Sequence, residues 1–251
     1  MMRRTVIAAA LSLLLVQNNY AQQSAKNTDP DKIYKEALNL YDNRKFVAAH
    51  KLFESVATSI DQQKNEQDSK DISLLRINAE FYAAVCGLEL YNDNAVNLLL
   101  HFVTHYPENP NAKLASFELG NFYYRQANYP QAIDWYNKTD PSTFSANQRL
   151  EYHFRNGYAL FQEKKFDKAI VNLKRVKSNT SKYAYPATYY EGLAYYEIKK
   201  YKEALASLSK LKDSKTYAEV IPYTIIKINY DLKSYEELLN YTAGILNVPK
   251  L

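Results

Sequence analysis

Residues 119–136 read LGNFYYRQANYPQAIDWY, and the same arrangement returns twice further along the chain. Three kinds of marker recur together in it: a glycine, an aromatic residue and an alanine. Successive copies of each marker are 37 and then 35 residues apart. Three markers that recur at the same spacings predict an internal repeat. They are Gly120, Gly157 and Gly192, then Tyr129, Phe166 and Tyr201, then Ala132, Ala169 and Ala204.

Each copy predicts two short helices that pack against each other. Within a copy, apolar residues recur at i, i+3, i+4 and i+7, which is the period of an α-helix. A short polar stretch, such as Glu-Lys-Lys at residues 163–165, separates the two helices. The glycine on the first helix and the alanine on the second leave room for a close approach. Such a pair keeps an apolar face open until another pair covers it, so these units occur in series.

This pattern resembles the tetratricopeptide repeat (TPR). Weaker copies before and after the three strong ones extend the resemblance over nearly all of residues 31–247. The resemblance implies an all-α protein, a TPR-like α-solenoid of about six helix-turn-helix pairs within residues 31–251, and implies little about function. The weaker copies are marked by Ala37, Phe46 and Ala49, by Ala83, Cys86 and Ala95, and by Tyr230, Tyr235 and Leu238.

The two ends of the repeat region and one long spacing add further expectations. Asp29-Pro30 predicts the start of the first helix, because aspartate caps a helix and proline suits its first turn. Ala49 and Ala95 are 46 residues apart, and the polar residues 61–70 account for the excess as an extended loop or an overlong helix end. The last predicted helix, residues 235–246, keeps an apolar face, so we expect either a covering element or a truncated array.

The first residues predict an export signal. Arg3 and Arg4 precede an apolar run from Thr5 to Val16, which is typical of a secretory signal peptide. The run is shorter than the roughly 20 residues that a membrane-spanning helix needs. We expect residues 1–21 to be removed near Ala21, residues 22–30 to form a linker, and the product to be exported and periplasmic, without a membrane span.

Composition excludes several classes of protein. The whole chain has a formal net charge of +5, and without Arg3 and Arg4 the remaining 30 basic and 27 acidic residues leave +3. So weak and dispersed a charge argues against nucleic acid as a partner. With 5 glycines in the chain, phosphate-binding glycine loops are not expected. No nucleophile motif or carboxylate pair in an apolar setting occurs, so the sequence indicates neither an enzyme nor a cofactor.

A histidine pair and the single cysteine could have a metal-binding or reactive role, but a structural role explains both better. His101 and His105 have the i, i+4 spacing of a metal-binding pair, but the glutamate of the metalloprotease motif is missing between them. We expect a surface or half-buried structural role for both, with a ligand pair as the alternative. Cys86 shares an apolar helical stripe with Ala83 and Leu90, which predicts a small core residue.

Aromatic residues supply the candidate binding surface. Repeats of this kind stack so that the first helix of each pair lines a groove. Tyrosine suits contact surfaces because its side chain combines an apolar ring with a hydroxyl group that can stay hydrated. The same residues could instead pack between helices, and both interpretations stay open. The candidate groove residues are Phe117, Asn121, Tyr124, Phe154, Tyr158, Phe161, Tyr189, Tyr196, Tyr223 and Tyr230.

The linker around Tyr106-Pro107 and the helix pair after it are similar to periplasmic TolA-binding and outer-membrane-assembly repeat proteins. That resemblance implies a non-catalytic scaffold that binds a protein or peptide partner and serves cell-envelope assembly. An alternative is the periplasmic sensing region of a longer membrane signalling protein, and a carbohydrate-binding module is a third. Neither the partner's identity nor the oligomeric state follows from the sequence.

Overall fold

The computed structural model describes residues 29–62, 70–176 and 181–246. The predicted signal peptide and nearly all of the predicted linker lie outside these ranges. The described residues form α-helices and two short 3-10 turns, at residues 141–143 and 209–211, and contain no strand. The predicted all-α fold is confirmed. None of the helices in these ranges has the length and apolar composition of a membrane span.

Twelve α-helices in the described ranges form six consecutive pairs, as the repeat pattern predicts. Each second helix starts a few residues after the first one ends. The pairs are α1 (Pro30–Asp42) with α2 (Phe46–Gln62), α3 (Lys70–Glu89) with α4 (Ala95–His105), α5 (Asn111–Arg125) with α6 (Tyr129–Tyr136), α7 (Ala146–Gln162) with α8 (Phe166–Leu173), α9 (Ala184–Glu197) with α10 (Tyr201–Leu208), and α11 (Val220–Asp231) with α12 (Tyr235–Leu246).

Local sequence signals set where several helices begin. The carboxylate of Asp29 accepts a hydrogen bond from the backbone N–H of Asp31 at 3.1 Å, and Pro30 follows in the first turn, as predicted. Ser145 and Gln148 form a reciprocal capping box at the start of α7, which satisfies two backbone N–H groups that the helix leaves free. In the long polar stretch, α2 continues to Gln62 and α3 begins at Lys70, while residues 63–69 lie outside the described ranges.

Glycines and alanines bring the two helices of a pair together, as the repeat markers predict. A Cβ atom added at Gly157 would lie 2.7 Å from Cγ of Leu173, and one at Gly192 would lie 2.6 Å from Cγ of Leu208. Both distances are too short for non-bonded carbon atoms. The alanine markers on the second helices, Ala132, Ala169 and Ala204, are fully buried.

The chain divides into two compact units, residues 1–115 and residues 116–251. In the first unit, α2 packs between α1 and α3, and α4 packs on α3. In the second unit, neighbouring helices pack in chain order from α6 to α12. The first unit has an apolar cluster around Phe53, Val56 and Cys86. The second unit has two, one that contains Leu160 and Leu173 and one that contains Leu208 and Ile228.

The turn inside every pair contains a residue in the left-handed backbone region. Their φ angles lie between 54° and 61°, and none of them is glycine. Residues other than glycine are disfavoured in this backbone region by about 1–2 kcal/mol each. The six residues are Arg44, Tyr91, Ala127, Lys164, Lys199 and Lys233.

Candidate functional site

Tyrosines from three successive first helices of the second unit lie side by side. The ring of Tyr158 on α7 is 5.8 Å from that of Tyr124 on α5 and 4.7 Å from that of Tyr190 on α9, measured between centroids. Both contacts are edge-to-face, the arrangement that aromatic rings favour. Tyr129, the first residue of α6, adds a fourth ring 5.8 Å from Tyr158. We call Tyr124, Tyr129, Tyr158 and Tyr190 the tyrosine cluster.

The hydroxyl groups of three members of the tyrosine cluster interact with one another. Tyr129 and Tyr190 each share a hydrogen bond with Tyr158. Burial raises the pKa of the Tyr124 and Tyr190 hydroxyls above the usual value for tyrosine. All four rings are half-buried, so the cluster both packs the helices together and leaves part of each ring at the surface.

Three further predicted residues lie beside the cluster. Phe154 on α7 stacks on Tyr183, which precedes α9, with 5.1 Å between ring centroids. Phe161 lies 5.3 Å from Tyr190 and 5.5 Å from Phe166. Tyr189 on α9 stacks in the same way on Tyr217, at 5.0 Å. These three aromatic residues are half-buried and act mainly as packing partners.

The structure places Phe117 and Asn121 away from any surface. Phe117 is 1% exposed and packs 4.9 Å from the ring of Phe144, while Asn121 is 3% exposed. The carbonyl oxygen of the Asn121 side chain accepts a hydrogen bond of 2.9 Å from the hydroxyl of Tyr136. We therefore remove both residues from the candidate binding surface, because their side chains are enclosed by neighbouring helices of the same chain.

Tyr196, Tyr223 and Tyr230 occupy the other end of the second unit. The hydroxyl of Tyr196 on α9 donates a hydrogen bond of 2.6 Å to the carboxylate of Asp231 on α11. The ammonium group of Lys227 lies 5.0 Å from the centroid of the Tyr196 ring. A hydrogen bond with the Tyr196 hydroxyl raises the pKa of Lys227 above its usual value. Tyr196 thus joins α9 to α11 and is half-buried.

The most exposed aromatic residues of the predicted set lie on α11. Tyr223 is 76% exposed and Tyr230 is 63% exposed. Together with exposed Lys227 they follow the spacing i, i+4 and i+7, which places all three on one face of the helix. We call Tyr223, Lys227 and Tyr230 the α11 face. It adjoins Tyr196 through Lys227.

Sequence reasoning missed several residues of this surface. Tyr190 is central to the cluster, although the predicted set contained its neighbour Tyr189 instead. Tyr183 and Tyr217 precede helices, where helical periodicity gives no signal. Arg155 also went unnoticed: its guanidinium lies 5.5 Å from the Tyr124 ring, and Nη2 is 2.6 Å from the carboxylate of Glu151.

The other sequence features have structural explanations. The imidazole rings of His101 and His105 stack at 3.7 Å between centroids, and Nδ1 of His105 is 3.0 Å from the carbonyl oxygen of His101. In the described part of the chain, no group of three or more His, Cys, Asp or Glu residues could hold a metal ion. Cys86 is fully buried, as predicted, and burial raises the pKa of its thiol to about 12.

Comparison with known proteins confirms the repeat. Residues 92–146 match the family model of the tetratricopeptide repeat. No curated protein is significantly similar to the chain.

Among solved structures, a MamA mutant is similar with a TM-score of 0.55 and 17% identity, over 74% of this chain and 96% of that one. MamA from AMB-1 gives a TM-score of 0.52 and 17% identity, over 71% of this chain and 94% of that one. A structure of kinesin light chain TPR-like repeats from Podosopora anserina gives a TM-score of 0.52 and 14% identity, over 75% of this chain and 99% of that one. At these identities the likeness concerns the fold: the chain folds as tetratricopeptide repeats.

Proposed function

We propose that this protein is a non-catalytic scaffold that binds protein or peptide partners through the surface formed by the tyrosine cluster and the α11 face. The tetratricopeptide repeat fold supports a role in protein–protein interaction. The observation that carries the proposal is the exposure of Tyr223 and Tyr230, at 76% and 63%. Large aromatic side chains that remain at a surface next to a packed aromatic cluster are typical of contact sites.

We further propose that the scaffold works outside the cytoplasm, in the periplasm, and takes part in assembly of a cell-envelope complex. The support for this comes from the sequence: the signal-peptide pattern of residues 1–21 and the resemblance of the Tyr106-Pro107 linker to envelope repeat proteins. The linker lies between the end of α4 at His105 and the start of α5 at Asn111. Ala112, which follows it, is buried.

Photo-crosslinking in cells tests the binding surface. A photoreactive phenylalanine analogue replaces Tyr230 in one variant and Tyr91 in a matched control, since Tyr91 is 79% exposed and lies in the first unit. We expect light-dependent adducts with a defined protein at position 230, and few or none at position 91. Adducts of equal yield at both positions, or none at position 230, would contradict the proposal.

A further inference from the structure

The α11 face combines flat aromatic rings with hydrogen-bond donors. The hydroxyls of Tyr223 and Tyr230 belong to exposed side chains, and the ammonium of Lys227, which already shares a hydrogen bond with the Tyr196 hydroxyl, keeps two further N–H donors. Asp231, the carboxylate nearest to this face along the helix, already accepts the short hydrogen bond from Tyr196. The free polar groups of the face can all donate hydrogen bonds, and the two tyrosine hydroxyls can also accept them. The apolar area of the face is mainly aromatic ring.

A partner that complements this face has ring-shaped apolar groups and hydrogen-bond acceptors that are free to bind its donors. Proline residues meet both conditions, because proline lacks a backbone N–H and keeps its carbonyl oxygen. In the polyproline II conformation the carbonyl groups make no internal hydrogen bonds and stay available to donors. We propose that the α11 face binds a proline-rich segment in the polyproline II conformation; this rests on the proposed function and specifies its partner.

The spacing of the two tyrosines agrees with this partner. Tyr223 and Tyr230 are seven residues apart, which corresponds to about 10 Å along the helix axis. One turn of polyproline II contains three residues and advances about 9 Å. A segment lying along α11 thus brings a proline ring to each tyrosine in successive turns, and rotation of the side chains absorbs the remaining difference. Between these rings, Lys227 faces the carbonyl oxygens of the same turn.

Other peptide conformations fit the face less well. An added β-strand needs an exposed sheet edge with free backbone groups, which the side of a helix does not offer. An acidic segment needs several cations, whereas Lys227 has Asp231 one turn away on the same helix. A polyproline II segment is also already ordered before binding, so its association loses less conformational entropy than that of a flexible chain. Docking on aromatic side chains is a known way to recognise such segments.

Binding of a fluorescent decaproline peptide to the purified protein tests the inference. The comparison peptide has the same length and label and consists of glycine and serine. The main variant carries Tyr223→Ala with Tyr230→Ala, and Tyr91→Ala is the control with the same substitution at an exposed site of the first unit. A second variant, Tyr223→Phe with Tyr230→Phe, keeps both rings and removes both hydroxyl donors.

We expect the wild type and Tyr91→Ala to bind decaproline and not the glycine–serine peptide. The double alanine variant should bind at least about tenfold more weakly, since tyrosines at contact centres dominate binding. The double phenylalanine variant should lose about threefold to tenfold, the effect of removing hydrogen bonds. Thermal unfolding of all variants should stay close to that of the wild type, because these side chains are largely exposed.

Three results would overturn the inference. They are equal binding of the two peptides, unchanged decaproline binding in the double alanine variant, and absence of decaproline binding by the wild type. If the crosslinks at position 230 persist while decaproline does not bind, the inference fails and the proposed scaffold function stands. If neither is observed, both fail. Retention by an oligosaccharide column that is lost in the double alanine variant, without decaproline binding, would reassign the face to carbohydrate.

Discussion

Gly157 determines how closely α7 and α8 approach each other. The nearest atoms to a Cβ at this position belong to Leu173: Cγ at 2.7 Å, Cδ2 at 2.9 Å and the backbone nitrogen at 3.2 Å. A leucine side chain can rotate, but a backbone nitrogen in a helix cannot move alone. Both elements of the pair must therefore shift if the residue gains a side chain. The equivalent Gly192 meets Leu208 in the same way.

We predict that Gly157→Ala lowers the free energy of unfolding by about 1–3 kcal/mol, the usual effect of overpacking a core. Gly244→Ala is the matched control, because a Cβ there has no atom within 4 Å. It should be neutral or stabilise by up to about 1 kcal/mol, since alanine favours helix more than glycine does. Urea unfolding followed by circular dichroism measures both changes. Equal stability of the two variants would contradict this account of the pair.

The α9–α10 pair contains a half-buried carboxylate between its helices. The hydroxyl of Ser207 on α10 donates a hydrogen bond of 3.3 Å to Glu191 on α9. Burial nevertheless raises the pKa of Glu191 above its usual value, against the opposing effects of Ser207, Lys210 and Lys174. A raised pKa in the folded state means that this group favours folding when protonated, and that this contribution is lost as the pH rises through the folded-state pKa.

We therefore predict that Glu191→Gln is more stable than the wild type at pH 7. The amide avoids burial of a charge, and its oxygen can still accept the hydrogen bond from the Ser207 hydroxyl. The advantage should shrink as the pH falls toward the ordinary pKa of glutamate, where the wild-type carboxyl is itself protonated. Thermal unfolding of both proteins at several pH values measures this difference. A constant or inverted difference would show that Glu191 is stabilising as a carboxylate.

At the level of helices, the sequence predicts nearly all of the fold and only part of the candidate site. Repeated markers place both helices of each pair, since glycine, alanine and the turn aromatic have fixed positions in it. Periodicity also groups residues on one face of a helix, but it does not reveal whether a neighbouring helix covers that face. Phe117 and Tyr223 were predicted for the same reason, yet Phe117 is buried and Tyr223 is exposed.

At the scale of the whole molecule, the residues of the proposed binding surface all belong to the second unit, on α5, α7, α9, α11 and the start of α6. The proposed export signal lies at the other end of the chain, in residues 1–21. We predict that the N-terminal sequence of protein purified from the envelope fraction of its native host begins near Gln22. Recovery from the cytoplasm with Met1 or Met2 intact would contradict export, and would leave the binding surface unaffected.

The left-handed turn residues have a consequence for engineering. Glycine adopts this conformation without a steric penalty, although it also makes the unfolded chain more flexible. Each of the six turns is thus a position where a glycine can make the protein more heat-resistant by a fraction of a kilocalorie to about 1 kcal/mol. All six of these residues are exposed, and they lie in separate turns, so their gains should add. A thermostable form for crystallisation is therefore within reach of turn substitutions that leave every tyrosine of the proposed binding surface in place.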